Sequence, residues 1–150
     1  ADLIGAHPEE IIFTSGGTES DNAALRSICD NITSPKKHII TTKVEHPAIR
    51  NTCYYLQSKG FRLTELNVNN TGHLNLEELQ QSITDDTILV SIMWANNETG
   101  VIFPIEQIAQ IVKSKGVLFH TDAVQAVGKI PIDLQKIPID FLSFSSHKIH

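Results

Sequence analysis

The chain has 150 residues, 41% hydrophobic and 19% charged, with a formal net charge of −5 at pH 7. That balance suits one ordinary globular core and argues against a nucleic-acid partner, which would need a basic face. No apolar run is long enough to span a bilayer, no secretory leader or repeat is visible, and two cysteines make no disulfide framework, so a soluble protein of a reducing cytoplasm is expected.

Apolar periodicity predicts strands and helices in alternation. In chain order, strands fall near 11–15, 38–42, 61–68, 87–94, 117–121 and 140–144, and helices near 18–31, 47–59, 75–83 and 104–115. Leu25, Ile28, Cys29 and Ile32 form one face of the first helix, and Ile49, Thr52, Cys53 and Leu56 one face of the second. Asn75 followed by Glu78 resembles a capping box, and Pro104 opens a helix whose Ile105, Ile108, Ala109 and Val112 make an apolar stripe. Lys59-Gly60 and Lys115-Gly116 are helix-ending pairs. Alternation of this kind builds βαβ units, so the expected fold class is α/β: a mainly parallel sheet with flanking helices.

The chemistry-bearing residues cluster just after predicted strands, where open α/β sheets bind ligands. Ser15-Gly16-Gly17-Thr18-Glu19-Ser20 joins a strand-like run to a helix start, and its glycines and unpaired N–H groups suit a phosphate; a plain tight turn with Thr18 as cap is the commoner use. In Glu45-His46-Pro47-Ala48, His46 is placed to stack on a flat heteroaromatic ring and relay protons. In Trp94-Ala95-Asn96-Asn97-Glu98-Thr99-Gly100, Asn97 is a donor suited to a phenolate oxygen. For either residue by itself, a capping or loop role is the commoner explanation. Asp122, in His120-Thr121-Asp122-Ala123-Val124-Gln125, would keep a pyridine nitrogen protonated, while also serving as a helix cap. In Ser143-Phe144-Ser145-Ser146-His147-Lys148-Ile149-His150, a primary amine that can form a Schiff base with an aldehyde follows hydroxyls and an imidazole that can bind its phosphate.

Five such loops in one chain weigh more than any one of them. In order and spacing, Ser15–Asn22, Glu45–Pro47, Asn96–Gly100, His120–Gln125 and Ser143–His150 resemble the cysteine desulfurases of the NifS/IscS group, in the class V aminotransferase family. The resemblance covers nearly the whole chain. It implies the central part of the large cofactor domain of an aspartate-aminotransferase-type fold, incomplete at both ends and with no second domain in these residues. It implies pyridoxal 5′-phosphate as cofactor, conversion of L-cysteine to L-alanine, sulfur passed as a persulfide to an iron–sulfur scaffold protein, and a homodimeric parent. Carried over residue by residue, it makes Lys148 the Schiff-base lysine and His46 the ring-stacking partner, these two being the catalytic pair. Asp122 would face the pyridine nitrogen, Asn97 and Gln125 the phenolic oxygen, and Gly17, Thr18, Ser145 and His147 the phosphate. Asn-Asn-Glu-Thr-Gly and His-Lys-Ile-His resemble the nitrogen-fixation branch more than the housekeeping one. Ser146 departs from the pattern, since a glycine is usual before His-Lys, and its side chain is expected to crowd the phosphate.

The family's persulfide-forming cysteine and carboxylate-binding arginine lie beyond the lysine, outside these residues. Cys29 and Cys53 sit on apolar helical stripes and read as small buried hydrophobes. Arg26, Arg50 and Arg62 match no substrate-binding position. Three rival readings remain: a metal site from His120, Asp122, His147 and His150; a pyridoxal-phosphate enzyme of another kind, such as a selenocysteine lyase or an aminotransferase; and a non-catalytic fragment.

Overall fold

In the computed structural model, which describes Ala1–Ile149, five strands pair side by side in the order β2-β1-β3-β4-β5. They are β1 (His38–Thr42), β2 (Arg62–Leu66), β3 (Thr87–Ser91), β4 (Leu118–Asp122) and β5 (Phe141–Ser143). Every pairing is parallel. The helices are α1 (Gly17–Asp30), α2 (Pro47–Ser58), α3 (Leu76–Ser82) and α4 (Ile105–Ser114).

A parallel sheet is covered on both faces, so its central strands carry apolar side chains at consecutive positions. Ile39 and Leu89 point to one face, where they meet Leu25, Ile28 and Cys29 of α1 and Ile49, Cys53 and Leu56 of α2. Ile40 and Val90 point to the other, where Leu79 of α3 and Ile105, Ile108 and Val112 of α4 pack over Phe119. Several polar side chains within the buried strands find partners across the sheet, although the Thr121 hydroxyl of β4 has none. His38 has its two ring nitrogens 2.8 Å from the hydroxyls of Thr87 and Thr64, and the Thr41 hydroxyl donates to the Ser91 carbonyl at 2.9 Å.

The helix ends follow local chemistry. Asn75 Oδ1 accepts from the N–H groups of Glu77 and Glu78 at the start of α3. Gly60 and Gly116 follow α2 and α4 with positive φ, a conformation that costs a residue with a Cβ more than it costs glycine.

One expected strand does not form. Residues 11–15 are irregular, with Ile12 and Phe13 83% and 94% exposed. A short apolar run becomes a strand only when a neighbour supplies the hydrogen-bond ladder, and no partner for it occurs among the described residues. The expected strand over 87–94 ends its ladder at Ser91, although the N–H groups of Ile92 and Trp94 still donate to the carbonyls of His120 and Asp122.

From β1 the chain crosses to β2 on one side of the sheet, while from β3 it proceeds through β4 to β5 on the other. The strand order therefore reverses between β1 and β3, with α2 on one face and α4 on the opposite one. A crevice opens at the carboxyl ends of these strands, and this is the position in which such sheets hold ligands.

Ile39 is fully buried between the sheet and helices α1 and α2. Ile39→Ala is expected to cost about 2–5 kcal/mol, read as a lowered urea midpoint with an unchanged slope.

Candidate active site

The exits of β1 and β3 are fastened to each other by Glu45. Its Oε1 accepts from the Met93 N–H and from the Thr42 hydroxyl, both at 2.9 Å, so one carboxylate oxygen bridges the switch point. The other oxygen is buried without a partner. Burial, helped by the nearby Asp122 and Asp21 carboxyls and opposed by the two hydrogen bonds, pushes Glu45 up to about 8. The next residue, His46, caps α2: its Nδ1 accepts from the Ala48 N–H at 3.2 Å, which leaves the proton on Nε2 when the ring is neutral.

After β3, the side chain of Asn96 shapes the loop from within. Its Nδ2 donates to the Val44 carbonyl at 3.0 Å, and its Oδ1 accepts from the N–H groups of Glu98 and Thr99 at 3.0 and 2.9 Å. Asn97 is thereby turned outward, exposed at the rim of the crevice.

After β4, Asp122 is buried with Oδ1 accepting from the Val124 N–H at 2.9 Å. Burial raises its carboxyl, while that N–H, His46 and Lys148 pull it back down. Gln125, in the turn that follows, accepts from Lys129 Nζ at 3.1 Å. After β5, Ser145 Oγ lies 2.8 Å from His147 Nδ1, and a single 3-10 turn, Ser146–Lys148, carries the lysine half-buried.

The start of α1 completes the crevice. A Cβ on Gly17 would lie 3.0 Å from Val124 Cγ2 and 3.8 Å from Ser145 Cβ, so the glycine leaves room where a side chain would crowd the entry. Thr18 is not the cap; that position is taken by Gly16, without a side-chain hydrogen bond. The unpaired N–H groups at this helix start are consequently not occupied by a capping side chain.

These segments enclose a cleft of about 330 Å³. Every residue carried over from the family lines it: Gly17 and Thr18 from α1, His46 and Asn97 from the switch point, Asp122 and Gln125 after β4, and Ser145, His147 and Lys148 after β5. Asp21, Met93, Ala95 and Val124 line it as well, and the sequence reading singled out none of these four. For Asp21 the signal was present, because it shares the i, i+4, i+7 stripe of Leu25 and Ile28, where an acid stands out.

Ser146 does not crowd the cleft. It is exposed, does not line the cavity, and no non-glycine among the described residues has positive φ. His120 is no metal ligand: Nδ1 and Nε2 are 2.9 and 3.0 Å from the hydroxyls of Ser91 and Ser143, and burial pushes the ring down to about 3, so it is neutral. His150 lies outside the described residues, and among those described no group of three or more His, Cys, Asp or Glu forms a metal site. Cys29 and Cys53 are buried free thiols pushed up to about 12, chiefly by burial. Thiols of this kind are poor nucleophiles at neutral pH. Among the described residues no helix is long and apolar enough to cross a membrane.

The donor set fits an aromatic aldehyde that carries a phosphate. Gly17 keeps the helix start open to an anion, Ser145, His147 and Thr18 add polar groups, Lys148 offers an amine, and the buried carboxylate of Asp122 suits a ring cation.

Fold and site together define an α/β protein with a ligand crevice at the switch point of a parallel sheet, organised around one lysine and one buried aspartate. The chain belongs to the aminotransferase class-V family, whose model matches residues 1–150. A cysteine desulfurase of Nostoc sp. is 55% identical over 100% of this chain, which spans 37% of that relative's length. A solved NifS-like protein matches with a TM-score of 0.96 at 47% identity, covering 100% of this chain and 42% of its own. A structure described as SspA in complex with cysteine matches with a TM-score of 0.95 at 39% identity, over 99% of this chain and 43% of its own.

Replacing Glu45 tests the switch-point tie. Glu45→Ala orphans the buried Met93 N–H and is expected to lose roughly 1–3 kcal/mol from that group alone. Glu45→Gln keeps a carbonyl acceptor, so its urea midpoint should lie well above that of Glu45→Ala.

Proposed function

We propose that these residues form the cofactor-holding core of a pyridoxal 5′-phosphate-dependent cysteine desulfurase, converting L-cysteine to L-alanine and transferring sulfur as a persulfide. The observation that carries the reading is the convergence, in one cleft, of a half-buried lysine, a buried aspartate and a helix start left open by glycine. The similarity to a cysteine desulfurase and to a structure described as a complex with cysteine supports the substrate.

When bound, the cofactor supplies an aldehyde carbon and an electron sink for bond changes at the substrate α-carbon. Lys148 would hold that aldehyde and, once the substrate amine displaces it, move a proton at the α-carbon. Asp122 would keep the ring nitrogen protonated, its negative charge already fixed by the Val124 N–H. His46, anchored through Nδ1, would lie against the ring and present Nε2–H to reacting groups. Asn97 and Gln125 would donate to the phenolic oxygen, and Gly17, Thr18, Ser145 and His147 would bind the phosphate. The remaining parts of the proposal are an iron–sulfur scaffold protein as sulfur acceptor, a homodimeric assembly and a cytoplasmic setting. Their support is the family and the two free cysteines.

The complete protein, loaded with pyridoxal 5′-phosphate and given L-cysteine and a reductant, should release sulfide and alanine in equal amounts. Asp122→Asn should lower kcat by roughly 10²–10³, the scale of one preorganised electrostatic contact. An Asp122→Asn variant that works at the wild-type rate would refute the assigned role. Selenide from L-selenocysteine with no sulfide from L-cysteine would make the protein a selenocysteine lyase instead.

Sulfur must be taken by a mobile, accessible thiolate, and the thiols of Cys29 and Cys53 are neither accessible nor ionised. Cys29→Ser and Cys53→Ser are therefore expected to leave the rate of folded enzyme unchanged. Loss of sulfide release in either variant, with near-ultraviolet circular dichroism preserved, would show that the sulfur passes through these helices.

A further inference from the structure

Asp21 is an acid to which the proposed reaction assigns no task, yet it lines the cleft and is only 1% exposed. Its Oδ1 has no hydrogen-bond partner. The groups facing it come from three neighbouring elements. From β4 come Asp122 and His120, whose Nε2 is 3.7 Å from Oδ1 on a ring that burial keeps neutral. From β5 the Ser143 hydroxyl, which lies 3.0 Å from His120 Nε2, faces its carboxyl and draws it down, and Glu45 approaches from the turn after β1. No lysine or arginine among the described residues pairs with it within 4 Å. The basic side chains of the cleft, Lys148 and His46, act on Asp122 instead.

Two carboxyl groups that interact in a water-poor site do not both ionise at neutral pH; one keeps its proton. We propose that Asp21 and Asp122 hold a single proton between them, carried mainly by Asp21, so that the floor of the cleft presents one negative charge and Asp122 is the anion. The geometry decides which carboxyl is neutral: Asp122 accepts a backbone N–H and lies near the basic side chains of Lys148 and His46, whereas Asp21 faces a neutral imidazole and has an unpaired oxygen. Asp21 is then a positioning residue that acts through Asp122. The consequence for a ring cation rests on the function proposed above: with Asp21 neutral, one positive ring nitrogen meets one negative carboxylate and the buried charges cancel.

The sign of the pH dependence follows. Burial first, and Asp122 second, push Asp21 up to about 8 from an ordinary value near 4. The folded protein then holds a proton that the unfolded chain has released, so this stabilising contribution is whole below about pH 4 and is lost as pH rises through about 8.

The test is a ¹³C NMR titration of the complete, cofactor-free protein labelled only at aspartate carboxyls, which excludes Glu45 from the signal. One aspartate should titrate near pH 8, far above the others. That alkaline step should vanish in Asp21→Asn, and in Asp122→Asn it should move to lower pH because the neighbouring charge is gone. A wild-type protein whose aspartates all titrate in the ordinary acidic range overturns the proposal, even if Asp21→Asn fails to fold. An alkaline step that persists in folded Asp21→Asn overturns it equally. Absorbance of the same samples after adding pyridoxal 5′-phosphate separates the two readings: absence of binding would defeat the proposed function, while the titration would still decide the shared proton.

Discussion

Glu45 Oε1, accepting at once from the Met93 N–H and the Thr42 hydroxyl, is the contact on which the site depends. At the point where a parallel sheet reverses its strand order, adjacent chains leave for opposite faces and expose their last backbone donors to the crevice between them. Unpaired, those donors would draw water into the site and let the two exits drift apart. A buried carboxylate oxygen that binds both sides closes that gap. Asn96 repeats the device a few residues on, its amide tying the loop after β3 to the Val44 carbonyl after β1. His46 and Asn97 project from a frame fixed by these two side chains.

The same frame concentrates acidic groups. Asp21, Glu45 and Asp122 are all buried near the cleft, and mutual repulsion adds to desolvation in raising the carboxyl values of Asp21 and Glu45. Such an arrangement is costly in a protein that only needs to fold. Perturbed acids around a lysine in a cleft are what a site requires if it must hold a cationic ring and keep it protonated. Behind them the neutral His120, bridging Ser91 and Ser143 across three strands, forms a rigid polar backing without adding charge.

The four helices were legible because their stripes are local: i, i+3, i+4 spacing in α1, α2 and α4, and an Asn cap before α3. Apart from Thr18 at the start of α1, the polar residues carried into the cleft were legible because each follows a strand, and strand ends in a parallel sheet meet at one edge. Residues 11–15 were misread because strand formation needs a partner that local pattern does not reveal. Thr18 looked like a cap, but Gly16 occupies that position, and the role passed to backbone alone. Asp21 was overlooked although its place on an apolar stripe marked it, and the bridging of Glu45 was invisible because its acceptor role is to Met93, far along the chain. Ser146 looked like a steric problem from comparison with a glycine pattern, whereas the 3-10 turn that begins at this residue points it to solvent.

The central claim is that this cleft presents Lys148 to the aldehyde of pyridoxal 5′-phosphate. Borohydride reduction of the complete, cofactor-loaded protein, followed by proteolysis and peptide mass mapping, tests it most directly. The account predicts a reduced cofactor adduct on the peptide containing Lys148 and none in Lys148→Ala. An adduct on Lys37, Lys43 or Lys113 in its place would contradict it.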